Sequence, residues 1–266
     1  MKNLSFKKSK KTVEDFYTSI QKIAEQDNKK KASPYQYLEF NDIFNKKIKK
    51  NLISKSNIID IGCGYFGGFL PYIKKKNYHN LFACDINPYT IANLKKNYKF
   101  IKVKKGSCLN LPYPDKVFDL VICYGVIHHT HNYKLAIKEL SRVLKKKGTL
   151  FLGVYAFDNS FFEYLIKLFR FVGRLVKYEI FQMIAKVWPL FNRFFMDHTY
   201  VPILYLISRN QIIKFTKKCQ LELVEDFSSK TDFFQKIPIL GKLISGDGLL
   251  RIYIFKKFTH GSKVKK

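Results

Sequence analysis

The sequence predicts an α/β protein whose core is a doubly wound, mostly parallel sheet of seven strands. Short apolar runs alternate with amphipathic helical patterns between residues 57 and 155. The first run ends in the tight-turn sequence Gly62-Cys63-Gly64, and the alternation resumes after residue 208. Strands that alternate with helices pair in parallel through right-handed crossovers. An aromatic-rich stretch, residues 157–208, separates these two parts and is interpreted as a helical insertion after the fifth strand.

Seven apolar runs of strand length predict the strands of this sheet. Each is too short for a buried helix, and turn or helix signals separate it from the next run. The predicted strands cover residues 57–61, 80–85, 100–104, 117–123, 149–155, 221–227 and 249–255.

The predicted helices fall before and between these strands. Pro88 opens one of them near its first turn, where the fixed φ of proline suits a helix. Another has apolar residues at helical spacing and the stop signal Gly148 just beyond its end. The predicted ranges are 13–50 with a break at Ser33-Pro34, 68–76, 88–98, 133–146 and 211–218.

These elements divide the chain into six segments. Lysine-rich tails are expected at both ends, and the first of them is predicted to be disordered. The segments are a basic tail at 1–12, a helical segment at 13–50, the α/β core at 51–156, the insertion at 157–208, the second part of the core at 209–258 and a basic tail at 259–266.

The formal net charge of +29 comes almost entirely from lysine, since the chain has six arginines. Lys, Asn, Ile, Phe and Tyr are all abundant, which is the codon bias of an A+T-rich genome. Recognition of phosphates and bases favours arginine, because its planar guanidinium donates two hydrogen bonds at once. We therefore favour a solvated lysine surface over nucleic-acid binding and leave attraction to an anionic membrane open.

The five cysteines are scattered, without a CxxC pair or a nearby His at metal-ligand spacing. A disulfide framework and a metal site are therefore not expected. The basic start of the chain is not followed by an apolar segment, and no apolar run approaches the roughly 18 residues that suggest a membrane span. We expect a cytoplasmic location, with peripheral contact at the inner membrane face as an open alternative.

The Gly62-Cys63-Gly64 turn and Asp85 predict a nucleoside-binding site. Glycine lets the backbone approach a ligand closely, and ligands of open α/β sheets settle at the carboxyl ends of the strands. Asp85 closes the second predicted strand, where a carboxylate accepts hydrogen bonds from ribose hydroxyls. Nicotinamide enzymes share this geometry, and helix capping is a purely structural alternative for Asp85.

Three further segments resemble class I S-adenosylmethionine (SAM)-dependent methyltransferases in order and spacing, particularly the type 11 group that includes ubiquinone and menaquinone C-methyltransferases. Residues 106–121, GSCLNLPYPDKVFDLV, resemble the family segment G-D/S-x-x-x-LPFPDxSFDxV. Residues 123–130, CYGVIHHT, are similar to its GVLHH segment, and residues 139–150, ELSRVLKKKGTL, to E-x-x-RVLKPGG-x-L. The resemblance covers about residues 57–155 and implies a Rossmann-like methyltransferase fold.

The resemblance implies that SAM is the cofactor, that S-adenosylhomocysteine is the product and that no metal takes part. The glycine turn would hold the methionine part of SAM, Asp85 the ribose and Ile86 the adenine. Residues after Gly106 would lie at the adenine edge, and residues after the fourth strand would complete the pocket. The cofactor-binding residues implied in this way are Asp60, Gly62, Cys63, Gly64, Asp85, Ile86, Ser107, Cys108, Leu109, Cys123, Tyr124 and His128.

Two positions depart from the family pattern. The third glycine expected at position 66 is Phe66, followed by Gly67 and Gly68, which predicts a shifted or enlarged loop. The acidic residue expected after Gly106 is Ser107, which can hydrogen-bond to adenine but carries no charge.

A cluster of histidines after the fourth strand supplies the candidate catalytic groups. The sulfonium activates the methyl group, so alignment of the acceptor is the main task, and a hydroxyl acceptor also needs a base. His128 and His129 are the predicted bases, with His131 nearby. Packing and pocket shaping are the alternative role for this pair.

The 157–208 insertion is expected to form the acceptor side of the site. Lys167, Arg170, Arg174 and Lys177 recur at helical spacing and predict a basic face, which fits either solvated lysines over a packed helix or an anionic membrane surface. A segment near its end resembles one that faces the acceptor in some relatives. Its candidate residues are Asp197, His198 and Tyr200, with turn capping as the alternative.

The sequence thus predicts methyl transfer from SAM to an oxygen or carbon atom of a small or lipid-like acceptor. The alternative is a catalytically silent scaffold with this fold that binds RNA or an anionic membrane through its lysines. A nicotinamide oxidoreductase is disfavoured, because residues 111–121 match methyltransferases and the third glycine is missing.

Overall fold

The computed structural model describes residues 2–3, 12–18, 34–155, 161–175, 201–228 and 250–258. Its main sheet has seven strands, numbered in chain order. They are β1 (Ile58–Ile61), β2 (Leu81–Asp85), β3 (Ile101–Lys105), β4 (Phe118–Tyr124), β5 (Leu144–Tyr155), β6 (Leu221–Ser228) and β7 (Leu250–Lys257).

Helices flank the sheet and precede it in the chain. Residues 13–18 are helical, and shorter helical turns cover Phe44–Ile48, Lys49–Asn51 and Ile127–His129. The longer helices are α1 (Pro34–Ile43), α2 (Leu70–Lys74), α3 (Pro88–Asn97), α4 (Tyr133–Val143), α5 (Phe161–Leu175) and α6 (Arg209–Lys218).

The strand order across the sheet is β3-β2-β1-β4-β5-β7-β6. Neighbouring strands are parallel from β3 through β5, and β7 runs antiparallel to both β5 and β6. The predicted seven-stranded, mostly parallel α/β fold is therefore confirmed. The chain reverses its winding direction between β1 and β4, and in such sheets ligands bind beyond the carboxyl ends of the strands at that point.

Apolar strands explain why the sheet carries helices on both faces. All four residues of β1 are buried, as expected for a parallel strand covered on both sides. One face packs on a core that includes α4 and Ile212 of α6, and the other on a core that includes α2 and Leu94 of α3. The edge strand β3 instead exposes three lysines, which oppose edge-to-edge pairing with another chain.

The predicted helix over 133–146 ends earlier than expected, at Val143. Leu144 already belongs to β5, is fully buried and pairs with Phe118. Lys147 adopts a positive φ of 62°, so the strand bends where a helix end was predicted. An apolar residue at position 144 fits the spacing of an amphipathic helix as well as the alternation of a strand. Pairing with Phe118 makes Leu144 part of the strand.

The insertion contains a helix, but its predicted basic face is wrong in one respect. Arg170 of α5 is buried, and its Nη2 donates a hydrogen bond to the carbonyl oxygen of Val201 at 3.0 Å.

The N-terminal residues Lys2–Asn3 form a two-residue strand that pairs antiparallel with Tyr205–Leu206, although a disordered tail was expected over 1–12. Residues 156–160 and 176–200 lie outside the described part of the insertion.

Candidate cofactor-binding and active site

The turn after β1 places backbone, without side chains, beside a cavity. Gly62 and Gly64 have φ of 70° and 65°, a left-handed conformation that glycine adopts most readily. A Cβ on Gly62 would lie 2.3 Å from Cγ2 of Val126, whereas a Cβ on Gly64 would meet no atom within 4 Å. Gly62 is thus required by packing, and Gly64 faces open space.

Asp85 joins the end of β2 to this turn. Its Oδ2 accepts a hydrogen bond from the Gly64 N–H at 2.9 Å, and its Oδ1 accepts one from the Asn87 N–H at 2.9 Å. Burial nevertheless raises the pKa of Asp85, because these N–H donors offset the lost hydration only in part. The glycine turn and the carboxylate therefore form one connected surface.

A cavity of about 650 Å³ opens beside this surface at the carboxyl ends of the strands. It lies between the main sheet, the helical segment 13–18 and the loop residues Pro202 and Ile203. Its lining is mostly apolar, with a small number of polar groups. The residues that line it are Thr12, Val13, Glu14, Tyr17, Ile61, Gly62, Gly64, Asp85, Ile86, Gly106, Ser107, Cys108, Leu109, Gly125, Val126, His129, Thr130, His131, Pro202 and Ile203.

The loop after β3 forms a second wall of the cavity. The Oγ of Ser107 accepts a hydrogen bond from the Leu109 N–H at 3.1 Å, which leaves the hydroxyl proton for another acceptor. Arg142 of α4 holds the continuation of this loop, donating to the carbonyl oxygens of Leu111 and Tyr113. Its guanidinium also pairs with both oxygens of Glu139. The Glu-x-x-Arg motif therefore supports the cavity wall from behind.

The helical segment 13–18 forms a third wall of the cavity. Its first turn is capped reciprocally, since Thr12 Oγ1 accepts from the Asp15 N–H and Asp15 Oδ2 accepts from the Thr12 N–H. Glu14 forms an ion pair with Lys105 at the end of β3 (3.2 Å). The Tyr17 ring lies edge-on to His129, with centroids 5.7 Å apart.

The two adjacent histidines have different surroundings. Nδ1 of His129 lies 3.0 Å from the carbonyl oxygen of Ile203; since a carbonyl only accepts, the proton of neutral His129 is on Nδ1 and the lone pair on Nε2. His128 is fully buried, and its Nδ1 accepts a hydrogen bond from the Tyr155 N–H at 3.3 Å. Its ring packs on the ring of Tyr155. Of the pair, only His129 lines the cavity.

The structure brings seven of the twelve predicted cofactor-binding residues to the cavity. The other five are turned elsewhere by strand alternation and packing. Asp60 faces α2 and accepts a hydrogen bond from the Phe69 N–H at 2.9 Å, and Tyr124 packs against Phe69 and Phe151. The residues that line the cavity are Gly62, Gly64, Asp85, Ile86, Ser107, Cys108 and Leu109, and those that do not are Asp60, Cys63, Cys123, Tyr124 and His128.

Several lining residues were not predicted as site residues. Thr12, Val13, Glu14 and Tyr17 come from the N-terminal segment, and one local signal was present there: Thr-x-x-Asp marks the start of a helix. Pro202 and Ile203 are brought in by tertiary packing alone. The predicted acceptor-side residues Asp197, His198 and Tyr200 lie outside the described residues.

Comparisons with known proteins agree with this geometry. A family model described as a methyltransferase domain matches residues 59–152. An uncharacterized protein of Methanocaldococcus jannaschii is 30% identical over 183 residues, which are 66% of this chain and 75% of that protein. A chain in the complex of the Haloferax volcanii Trm112 methyltransferase activator with a methyltransferase superposes with a TM-score of 0.63 at 12% identity, over 95% of this chain and 100% of that one. At that identity, the last match shows the fold alone.

Two relatives with named activities cover shorter stretches. The probable tRNA methyltransferase 9B of Mus musculus is 36% identical over 109 residues, 40% of this chain and 23% of that protein. The norajmaline N-methyltransferase of Rauvolfia serpentina is 29% identical over 128 residues, 46% of this chain and 42% of that protein. The chain thus spans less than half the length of either.

The sheet order, the glycine turn, the family match and the M. jannaschii relative together show that the chain belongs to the class I SAM-dependent methyltransferase superfamily.

Proposed function

We propose that this chain binds SAM in the cavity and transfers its methyl group to an oxygen or carbon atom of a small or lipid-like acceptor. The observation that carries the proposal is the hydrogen bond from the Gly64 N–H to Asp85 Oδ2 at the cavity wall. It joins the two features that an adenosyl ligand requires, a close backbone approach and a carboxylate for the ribose.

The residues of the cavity fit SAM in size and in chemistry. A volume of about 650 Å³ lies within the range of ligand pockets. Asp85 would accept hydrogen bonds from the ribose hydroxyls, because each carboxylate oxygen has a further acceptor position beyond its backbone donor. Ile86 and Leu109 supply apolar contacts for adenine, and the Ser107 hydroxyl supplies a donor at its edge.

We assign the role of base to His129. SAM supplies an activated methyl group, and the chain must orient the acceptor and remove its proton where it carries one. The bond to the Ile203 carbonyl fixes His129 in the tautomer whose Nε2 accepts a proton. The backbone N–H of Tyr155 holds His128 in the opposite tautomer, away from the cavity, so His128 is a positioning residue.

The mostly apolar lining supports an acceptor with an apolar body. Ile61, Val126, Pro202 and Ile203 supply that surface. A lipid-like acceptor also requires the chain to reach a membrane, and segment 157–208 is the part proposed for that contact. The relative named as an N-methyltransferase makes nitrogen a further candidate for the accepting atom.

A second acceptor class, tRNA, is favoured by one of the named relatives. The probable tRNA methyltransferase 9B matches 40% of this chain, and the net charge of +29 favours phosphate backbones. These observations count against the expectation that nucleic acid is not a partner. A silent scaffold is less well supported, since a scaffold has no need of the Asp85 arrangement.

Transfer of labelled methyl groups tests the proposed function. The purified chain is incubated with methyl-labelled SAM and, separately, with a total lipid extract, a small-metabolite extract and tRNA. We expect label in a lipid or small-molecule product. Label in tRNA alone would replace the proposed acceptor class, and binding of SAM without transfer to any pool would favour the scaffold.

Replacement of His129 tests its role with the same assay. His129→Gln should reduce transfer roughly 100-fold, as expected for loss of a general base, with SAM affinity changed less than about twofold. His79→Gln, the same change at an exposed histidine, should leave transfer unaltered. Full transfer by His129→Gln would remove His129 from the chemistry.

A further inference from the structure

Helix α5 presents an apolar face outward. Among the α5 residues whose exposure the structure describes, the exposed ones recur at intervals of four, three, one and three, so at about 100° per residue they span an arc of roughly 100°. Arg170 and Gly173 lie on the opposite side and are buried. The exposed residues are Tyr164 (70%), Leu168 (54%), Phe171 (59%), Val172 (45%) and Leu175 (72%). These five residues are called the α5 face.

The concentration of apolar surface on one helix is unusual for this chain. Nine large apolar residues are exposed in the part of the chain that the structure describes, and five of them form the α5 face. The other four lie singly, one in a loop and three on different elements: Ile53, Tyr89, Leu135 and Val224. Scattered residues need no explanation, whereas a contiguous patch marks a binding surface.

Positive charge borders the α5 face. Nζ of Lys167, which is partly exposed, lies 5.3 Å from the centroid of the Tyr164 ring, so a cation sits against the edge of the α5 face. Of the three basic residues in the sequence of α5, Arg170 is buried on the opposite side, so the described charge at the border is that of Lys167, within a chain of net charge +29. An apolar stripe with a lysine at its border, on a strongly basic chain, suits the interface of an anionic bilayer.

The α5 face is connected to the cavity through buried contacts. Arg170, on the opposite side of the helix, donates to the carbonyl oxygen of Val201 at 3.0 Å. The next two residues, Pro202 and Ile203, line the cavity, and the Ile203 carbonyl accepts the hydrogen bond of His129. Two hydrogen bonds and the backbone of residues 201–203 therefore link α5 to the candidate base.

We propose that α5 lies along the surface of an anionic membrane, with the α5 face inserted among the acyl chains and Lys167 at the phosphate level. A second copy of this chain is a poorer occupant, because two molecules of charge +29 repel each other. Membrane binding by α5 deepens the proposed function, because it names the surface within segment 157–208 that would make the contact, and it does not depend on SAM. Its consequence, delivery of a lipid-like acceptor to the cavity, rests on the proposed function.

Sedimentation with lipid vesicles tests this proposal on the full chain without SAM. We expect the chain to sediment with vesicles of phosphatidylcholine and phosphatidylglycerol, and less with phosphatidylcholine alone. Added salt should weaken the binding, because the electrostatic attraction is screened. Absence of sedimentation with the anionic vesicles would overturn the proposal.

A double variant of the α5 face separates apolar insertion from charge attraction. Leu168→Ser/Phe171→Ser should lower the vesicle partition coefficient at least about 10-fold, because two large apolar side chains no longer insert. Ile53→Ser/Val224→Ser, the same change at exposed apolar residues elsewhere, should lower it less than about twofold. All four positions are exposed, so thermal unfolding should change little.

Two outcomes would contradict the α5 face as the membrane surface. Equal partitioning of the double variant and the wild type would mean that lysines alone attract the vesicles. A dimer that becomes a monomer in the double variant, without vesicle binding by either protein, would assign the face to a second copy. Titration with SAM in parallel distinguishes failure of this proposal from failure of the proposed function.

Discussion

Two buried aspartates at neighbouring strands, Asp60 and Asp85, serve different purposes. Asp85 reaches the cavity, whereas Asp60 points to α2, where Phe69 N–H donates to its Oδ2. A Cβ on Gly68 would lie 2.1 Å from that oxygen, and Gly68 has a φ of 55°. Gly68, two residues after Phe66, therefore makes room for Asp60. This explains the displaced glycine in the loop.

The carboxyl of Asp60 should make stability depend on pH. Burial raises its pKa from 3.8 to about 8; the Phe69 N–H opposes this rise and the charge of Asp85 adds to it. Between these values the unfolded chain releases a proton that the folded chain keeps, so the free energy of unfolding falls as pH rises. The limiting slope is about 1.4 kcal/mol per pH unit.

Asp60→Asn should remove this dependence. We predict that the stability of the unliganded variant relative to wild type increases between about pH 5 and about pH 8, as measured by urea unfolding at each pH. Asp42→Asn, at an exposed carboxylate, serves as the control. A stability difference between Asp60→Asn and wild type that is constant over this range would contradict a raised pKa.

At the scale of elements, the helical segment 13–18 has a structural cap and a place in the cavity wall. Its Thr12–Asp15 cap and the Glu14–Lys105 ion pair hold it over the site. The ion pair is largely exposed and contributes little, so the cap is the stronger of the two. We infer that ordering of this segment contributes to ligand affinity.

Removal of the cap tests that inference. Asp15→Ala should destabilise the segment by about 1 kcal/mol and so weaken SAM binding several-fold, measured by titration. Gln211→Ala removes the equivalent bond to the N-cap N–H from the capping box of α6 and should leave SAM affinity unchanged. Equal SAM affinity for Asp15→Ala and wild type would show that the segment does not take part in binding.

At the scale of the whole molecule, the strands were predictable because their signals are local. The runs around Ile59 and Val121 are short, apolar and followed by turns, and both became central strands. The predicted end of α4 was wrong, because an apolar Leu144 suits a helix as well as a strand. The strand partner that decides between them, Phe118, is distant in sequence. Arg170 was predicted on a solvated face for a similar reason, since its partner Val201 lies 31 residues away.

The candidate site was predictable where a motif carries it. Gly64, Asp85 and Ser107 belong to motifs with an inherent geometry at strand ends, and all three line the cavity. Tyr17 and Ile203 reach the cavity only through tertiary packing, for which the sequence has no local pattern. Local motifs thus specify the side of the cavity at the strand ends, and long-range packing builds the remaining wall.

The central claim is that the glycine turn and Asp85 form one binding surface for SAM, and calorimetric titration tests it most directly. The titrants are SAM, S-adenosylhomocysteine and NADH, and the proteins are wild type, Asp85→Ala and the exposed-site control Asp42→Ala. We predict that wild type and the control bind both sulfur nucleosides and not NADH. Asp85→Ala should lose about 1.5–3 kcal/mol of binding free energy, the contribution of a charged hydrogen bond. Failure of wild type to bind either sulfur nucleoside, or equal affinities for Asp85→Ala and wild type, would contradict the claim.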